Sequence, residues 1–199
     1  MKFPSFRYKP IKQSLKIIRL HTSDEAVIKK VLQGDSRAEK QLYDRYAAKM
    51  LGVCRMYIKD MHYAEDVMIQ GFTRALDNLG RFRFEGSFEG WLRRIMVRES
   101  IDFLRQRTQL YFEDVTEVEV APVITDNQDM DAELLQLLID KLPEGYRTVL
   151  VMFAVEGYSH KEIAEMLNIS ENTSKSQLFK ARKQLQEQLE KVRRIENER

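Results

Sequence analysis

Residues 157–185 read GYSHKEIAEMLNISENTSKSQLFKARKQL, and this stretch decides the fold. It divides into two helices around a tight corner. Ser159 with Glu162 three positions on forms a capping box for the first helix. Ile163, Ala164 and Leu167 then fall on one face of it. Asn168 tolerates the left-handed backbone that ends a helix sharply, and Ile169 plugs the corner. Ser170 can cap the second helix, with Glu171 in the first turn where the helix dipole favours an anion.

Turning the second helix through about 100° per residue sorts its side chains. Leu178, Ala181, Leu185, Leu189 and Val192 share one stripe, with Ser174 in line with it. Asn172, Lys175, Ser176, Phe179, Lys180 and Lys183 share the other side. A small residue before the corner and a polar, basic outer face beyond it are the pattern of a helix-turn-helix. Such a face carries donors for base edges and phosphates in a major groove.

Working back toward the N-terminus, Tyr146–Val155 is a strongly apolar helix that Gly157 ends. Before it come Leu142-Pro143 at a helix start and an apolar helix from about Asp131. Residues 109–140 carry nine acids and no Lys or Arg. Overlapping them, 108–130 lacks a helical period and contains Pro122, which predicts an acidic extended linker. Residues 88–107 form another helix, capped by Ser87, with Phe88, Trp91, Leu92, Ile95 and Phe103 as its apolar stripe. Arg94, Arg98 and Arg105 run along one flank beside Trp91, and Glu99 and Asp102 call for an arginine partner.

The loop before that helix is Arg81-Phe82-Arg83-Phe84-Glu85-Gly86. Rings interleaved with guanidinium planes are suited to stacking on unpaired bases. The helix from about Tyr63 to Leu79 buries Ala64, Met68, Phe72, Ala75, Leu76 and Leu79, while Asp66, Gln70, Thr73, Arg74 and Asp77 line its polar face. A long helix capped by Ser36 and Glu39 carries Leu42, Tyr43, Tyr46, Met50, Leu51, Cys54 and Tyr57, and a short helix capped by Ser23 precedes it.

The fold class is therefore all-α, with two small helical domains. The expected boundaries are a basic tail (1–22), a first helical domain (23–107), the linker (108–130), a helix-turn-helix domain (131–194) and a short tail (195–199). The 199 residues are 43% hydrophobic and 32% charged, a globular rather than disordered composition. The net charge of +2 conceals segregation, since residues 1–22 hold six basic side chains and no acid. A single cysteine excludes a disulfide within the chain and fits a reducing cytoplasm. The three histidines make no metal-ligand spacing with it, so no metal and no cofactor are expected, and no apolar run is long enough to span a bilayer.

The order and spacing of these motifs resemble the extracytoplasmic-function sigma factors of bacterial RNA polymerase, over nearly everything from Asp24 to Val192. The carrying stretches are Ala64-Glu65-Asp66 running to Phe72, Ser87-Phe88 with Trp91-Leu92 and Ile95, Asp102 with Leu104-Arg105, Leu142-Pro143, Gly157-Tyr158-Ser159 and Glu162-Ile163-Ala164. The resemblance implies a monomeric, non-enzymatic initiation factor with core RNA polymerase and promoter DNA as partners, and an anti-sigma factor as a further candidate. It implies that the Lys175–Lys180 face reads the minus-thirty-five element. It implies too that the polar face of Asp66, Gln70 and Arg74 docks on the polymerase clamp. The first domain would read and open the minus-ten element. Arg98 stands where that family usually has Asn, and Ser174 where it usually has an apolar residue. The competing reading is a stand-alone helix-turn-helix regulator that never meets polymerase.

Overall fold

A computed structural model describes residues 17–107 and 132–197; the basic N-terminal stretch up to 16 and the predicted acidic linker lie outside the described residues. The described residues are helical, and they contain no strand. The first half holds α1 (Ile17–Leu32), α2 (Ser36–Tyr57), α3 (Met61–Asp77), the 3₁₀ turn Leu79–Arg81 and α4 (Phe88–Arg107). The second half holds α5 (Ala132–Asp140), α6 (Glu144–Ala154), α7 (His160–Leu167) and α8 (Glu171–Asn197).

Helix α1 begins at Ile17, so residues expected in the tail are helical and Ser23 lies inside the helix rather than capping it. Gly34 takes a φ of +85° at its end, a conformation cheap only for glycine. The cap of α2 is Asp35, not Ser36: its carboxylate accepts from the Arg37 and Ala38 amides. Asp60 caps α3 in the same way. A carboxylate is the better acceptor at the positive end of the dipole, which explains why Asp35 displaces the neighbouring serine.

Helices α2, α3 and α4 pack on one another around Leu42, Met50, Cys54, Ala64, Phe72, Leu92 and Met96, all buried. Burial pushes the Cys54 thiol up to about 11, so it is a core residue and not a nucleophile. The α3–α4 crossing is close at Gly71, where an added Cβ would lie 2.4 Å from the Met96 sulfur. The buried stripe of α4 is Phe88, Leu92, Met96, Val97, Ile101 and Leu104. Trp91, Ile95 and Phe103, expected inside it, are half-buried on its border.

In the second half, α8 is the spine on which α5, α6 and α7 pack. Leu178 and Ala181 are buried there, while Leu185 is half-buried. The two halves touch, and the buried apolar cluster continues from Tyr57 and Ile58 of the first to Leu142 and Val149 of the second.

Candidate nucleic-acid interface

The corner between α7 and α8 is built as its sequence predicts. Ser159 Oγ accepts from the Glu162 amide while the Glu162 carboxylate accepts from the Ser159 amide, at 2.8 Å. The Ser159 hydroxyl also donates to that carboxylate, at 2.7 Å, and the two bonds it accepts, from amide and hydroxyl, hold the exposed Glu162 carboxyl below its usual range. Asn168 adopts the left-handed conformation, φ 55° and ψ 50°, and the Ile169 amide returns to the Ala164 carbonyl. Ser170 Oγ accepts from the Thr173 amide at 2.9 Å and so caps α8.

On α8 the expected outer face is split. Asn172, Lys175 and Lys183 are exposed, Lys175 lying 3.8 Å from Glu171 one turn back. Phe179 and Lys180 are half-buried, the Lys180 ammonium sitting 5.9 Å from the centre of the Tyr146 ring. Ser176 is buried, and its hydroxyl donates to the Thr173 carbonyl at 2.9 Å, which removes it from the outer face. Ser174 is fully buried with its hydroxyl 2.9 Å from His160 Nδ1, so it is a polar joint between α7 and α8 rather than a gap in an apolar stripe.

In the first half the Arg/Phe loop is held by aromatic packing. Phe82 folds inward, with ring centres 5.4 Å from Trp91 and 5.7 Å from Phe88. Phe84 stays exposed, 4.8 Å from Phe82, at a φ of +58° that a non-glycine residue adopts only when its surroundings fix it. Arg81, Phe82, Arg83, Trp91 and Arg94 line an open pocket of about 350 Å³ at this loop. A second recess, about 310 Å³, lies between α3 and α4 and is lined by Arg74, Arg81, Trp91, Arg98, Glu99 and Asp102. Ser87 Oγ accepts from the Gly90 amide, which fixes the start of α4 beside the loop. Arg94, Arg98 and Arg105 are exposed along α4. The two recesses share Arg81 and Trp91, with Arg83 and Arg94 in the first and Arg98 in the second; the exposed Phe84 packs on Phe82 of the first, while Arg105 reaches the Met166 carbonyl of α7.

The polar face of α3 is presented to solvent: Asp66, Gln70, Thr73, Arg74 and Asp77 are all exposed, with the apolar Ile69 among them. Arg74 is 2.6 Å from Glu99 of α4. Burial raises the Glu99 carboxyl and Arg74 opposes that shift, so Arg74 supplies the arginine partner that Glu99 calls for. Among the described residues there is no cluster of His, Cys, Asp and Glu that suits a metal, and no helix long and apolar enough to cross a membrane. Sequence reading missed Arg55, Arg93 and Arg147, whose partners lie in the opposite half of the chain.

Residues 42–109 match the family model for sigma-70 region 2, and residues 132–185 match that for sigma-70 region 4. The chain is 31% identical over 176 residues to the ECF RNA polymerase sigma factor SigW of Bacillus subtilis, covering 81% of this chain and 94% of that one. It is 28% identical over 182 residues to the ECF RNA polymerase sigma-E factor of Haemophilus influenzae, covering 84% and 96%. Among solved structures, CnrH in complex with the cytosolic domain of CnrY aligns with a TM-score of 0.48 at 24% identity, over 84% of this chain and 97% of that one. The sigma factor RpoE of Bartonella quintana, in complex with the anti-sigma factor NepR, aligns with a TM-score of 0.49 at 20% identity, over 76% and 96%.

Proposed function

We propose a division of labour within this chain, which belongs to the extracytoplasmic-function (ECF) RNA polymerase sigma factors. As a member it binds core RNA polymerase and directs it to promoters for initiation; it is not a stand-alone regulator, because the region 2 match has no place in one. It works by binding and not by catalysis, and it works in the cytoplasm.

Region 2 comprises 23–107 and region 4 comprises 131–194, joined by the acidic stretch between them. The α3 face of Asp66, Gln70, Thr73 and Asp77 docks on polymerase; the exposed Ile69 beside these groups offers an apolar centre inside a polar rim. Arg74 contributes through Glu99, holding α3 against α4 as well as facing the partner. In region 4, Asn172, Lys175 and Lys183 meet the upstream element, with Phe179 and Lys180 at the edge of the contact.

The observation that carries the reading of region 2 is the exposed Phe84 ring beside a pocket walled by arginines and Trp91. Opening a duplex costs a few kcal/mol per unstacked step. A protein without nucleotide hydrolysis offsets that cost by holding the unpaired strand more tightly than the duplex. Stacking on one aromatic side chain supplies about 1–3 kcal/mol per base. Phe84 and Trp91 are the stacking surfaces, and Arg81, Arg83, Arg94 and Arg98 take the phosphates.

The test is initiation by purified core polymerase on a linear promoter and on one already melted around the minus-ten element, followed by permanganate footprinting. Phe84→Ala and Arg98→Ala are expected to lose melting on the linear template and to recover on the melted one, while Asp66→Arg with Asp77→Arg loses retention by polymerase on both. Equal defects of Phe84→Ala on the two templates would show that the ring acts in folding or general binding.

A further inference from the structure

We infer that the recess at the start of α6 is a phosphoryl site: it takes an oxyanion that still carries a proton, either hydrogen phosphate or the singly protonated form of a phosphate monoester. The inference goes beyond the sigma-factor reading and uses none of the residues given above to DNA or to polymerase. The recess, about 250 Å³, lies between the α2–α3 turn, the end of α4 and the first turn of α6. Ile58, Lys59, Tyr63, Phe103, Glu144 and Arg147 line it.

Its donors are basic and underused. Arg147 is 1% exposed. One arm of its guanidinium donates to the Tyr57 carbonyl at 2.7 Å, while Nε and Nη1 have no partner. Buried charges are normally paired, because each unanswered polar group keeps its full desolvation cost. Burial lowers the affinity of Arg147 for its proton. Burial does the same to Lys59, and the Arg147 charge adds to the effect. An anion shared by these two cations relieves both penalties.

The backbone favours the same sign of ligand. Pro143 holds the cap position of α6 and makes no side-chain cap hydrogen bond. The helical ladder starts with the Arg147 amide, which donates to the Pro143 carbonyl at 2.9 Å. Helix geometry therefore leaves the amides of Glu144, Gly145 and Tyr146 without an acceptor in their own helix. Such amides, together with the helix dipole, attract an anion to this end. Asp60 also faces the recess, but its carboxylate is committed to α3, where it accepts from the His62 and Tyr63 amides at 2.9 and 3.2 Å.

Glu144 decides which anion fits. Its Oε2 is buried in the same first turn and has no partner. Sulfate brings only acceptors and would set one of them against that carboxylate. An ionised carboxylate ligand fails for the same reason. Hydrogen phosphate carries bare oxygens for Arg147 and Lys59 and one P–OH that donates to Glu144. The donors and the lone acceptor of the recess together select a protonated phosphoryl group. Ile58 and the Tyr63 and Phe103 rings, with centres 5.7 Å apart, offer an apolar flank to the organic part of a monoester.

Thermal unfolding of the full chain, followed by circular dichroism at neutral pH and constant ionic strength in a buffer without phosphate, tests the site. The probes are sodium phosphate, sodium sulfate and phenyl phosphate. Phosphate is expected to raise the melting temperature along a saturating curve, and sulfate to bind at least about tenfold more weakly, the loss expected for one hydrogen bond to a charged group. Glu144→Gln, whose amide can donate as well as accept, should erase that preference, so that sulfate stabilises this variant as well as phosphate does. Lys59→Ala should weaken phosphate binding and keep the preference. Both variants retain Arg147 and its bond to Tyr57, so neither removes a buried partner. Phosphorus NMR line broadening then separates the sources: broadening of phenyl phosphate as well as phosphate assigns the site to a monoester, and broadening of phosphate alone assigns it to the free ion. Equal shifts with phosphate and sulfate in the unmodified chain are a general salt effect and overturn the site, as does a phosphate preference that survives in Glu144→Gln.

Discussion

Ser174 shows how one side chain changes meaning between sequence and structure. By periodicity it sits in line with Leu178 and Ala181, where an apolar residue is expected, and Ser174→Val looks like a gain of about 1 kcal/mol in buried area. In the fold its hydroxyl is 2.9 Å from His160 Nδ1, and the His160 ring stacks on Phe153 with centres 4.6 Å apart. Removing the hydroxyl strands a half-buried ring nitrogen, at about 1–3 kcal/mol. The lost hydrogen bond outweighs the gained apolar area, so Ser174→Val is expected to lower the melting temperature of the full chain in a thermal scan by circular dichroism; a higher one would mean that the hydroxyl is dispensable. Burial, then Lys175 and Arg182, hold the His160 imidazole below its usual pKa. The unfolded chain therefore takes up the proton first. The stability this site contributes is complete above the usual value near 6.5 and is lost as pH falls toward the lower folded pKa. His160→Gln should flatten that loss between about pH 7 and 5. The pair was not legible in the sequence because its members lie fourteen residues apart across the turn, and a helical period reports only which stripe a residue joins.

At the scale of elements, what could be read was what is local. The capping box at Ser159, the left-handed Asn168 and the Ser170 cap each involve residues within four positions of one another, and all three appear as expected. Where two local signals compete, the sequence reading was off by one: Asp35 and Ser36 both suit an N-cap, and the charged side chain takes the position. Helix α4 was read half correctly because it packs against both α3 and α2, so two adjacent apolar stripes exist and 88, 92, 96, 97, 101 and 104 face inward. The same limit applies to α8, whose polar face is narrower in the fold than helical angle alone predicts. Ser176 falls on it by angle and is covered by packing. Its burial separates the α8 side chains by role. Lys175→Ala is expected to weaken promoter binding and to lower the slope of log affinity against log salt by about 1 if the ammonium meets a phosphate. Ser176→Ala should leave both sequence preference and salt slope unchanged. A titration of binding between about 50 and 200 mM salt reads both; an unaltered slope in Lys175→Ala would place the DNA contact on another face of the helix.

At the scale of the whole molecule, the two halves were legible as separate helical units, and their contact was not. Arg55 and Asp140 are 85 residues apart and Arg93 and Glu156 are 63 apart, so neither pair leaves a trace in local pattern. Charge segregation, by contrast, is plain in the sequence: the net +2 conceals a basic first stretch and an acid-only stretch between the regions. That second stretch lies outside the described residues, and its charge alone bears on its role. Residues 113–129 contain Glu113, Asp114, Glu117, Glu119, Asp126 and Asp129 with no basic side chain. A channel that holds nucleic-acid phosphates is basic, and an acidic segment entering it gains attraction without mimicking any sequence. The other role for a stretch of this composition is that of a spacer between the two regions. The two roles separate experimentally. Replacing the six acids by their amides keeps length and bulk and removes the charge. If the segment lies in a phosphate channel of polymerase, the neutral version should still be retained by core polymerase and form a closed complex, yet yield less full-length RNA, with the deficit shrinking as salt screens the channel. If the segment is only a spacer, transcript yield at every salt concentration will match that of the unmodified protein.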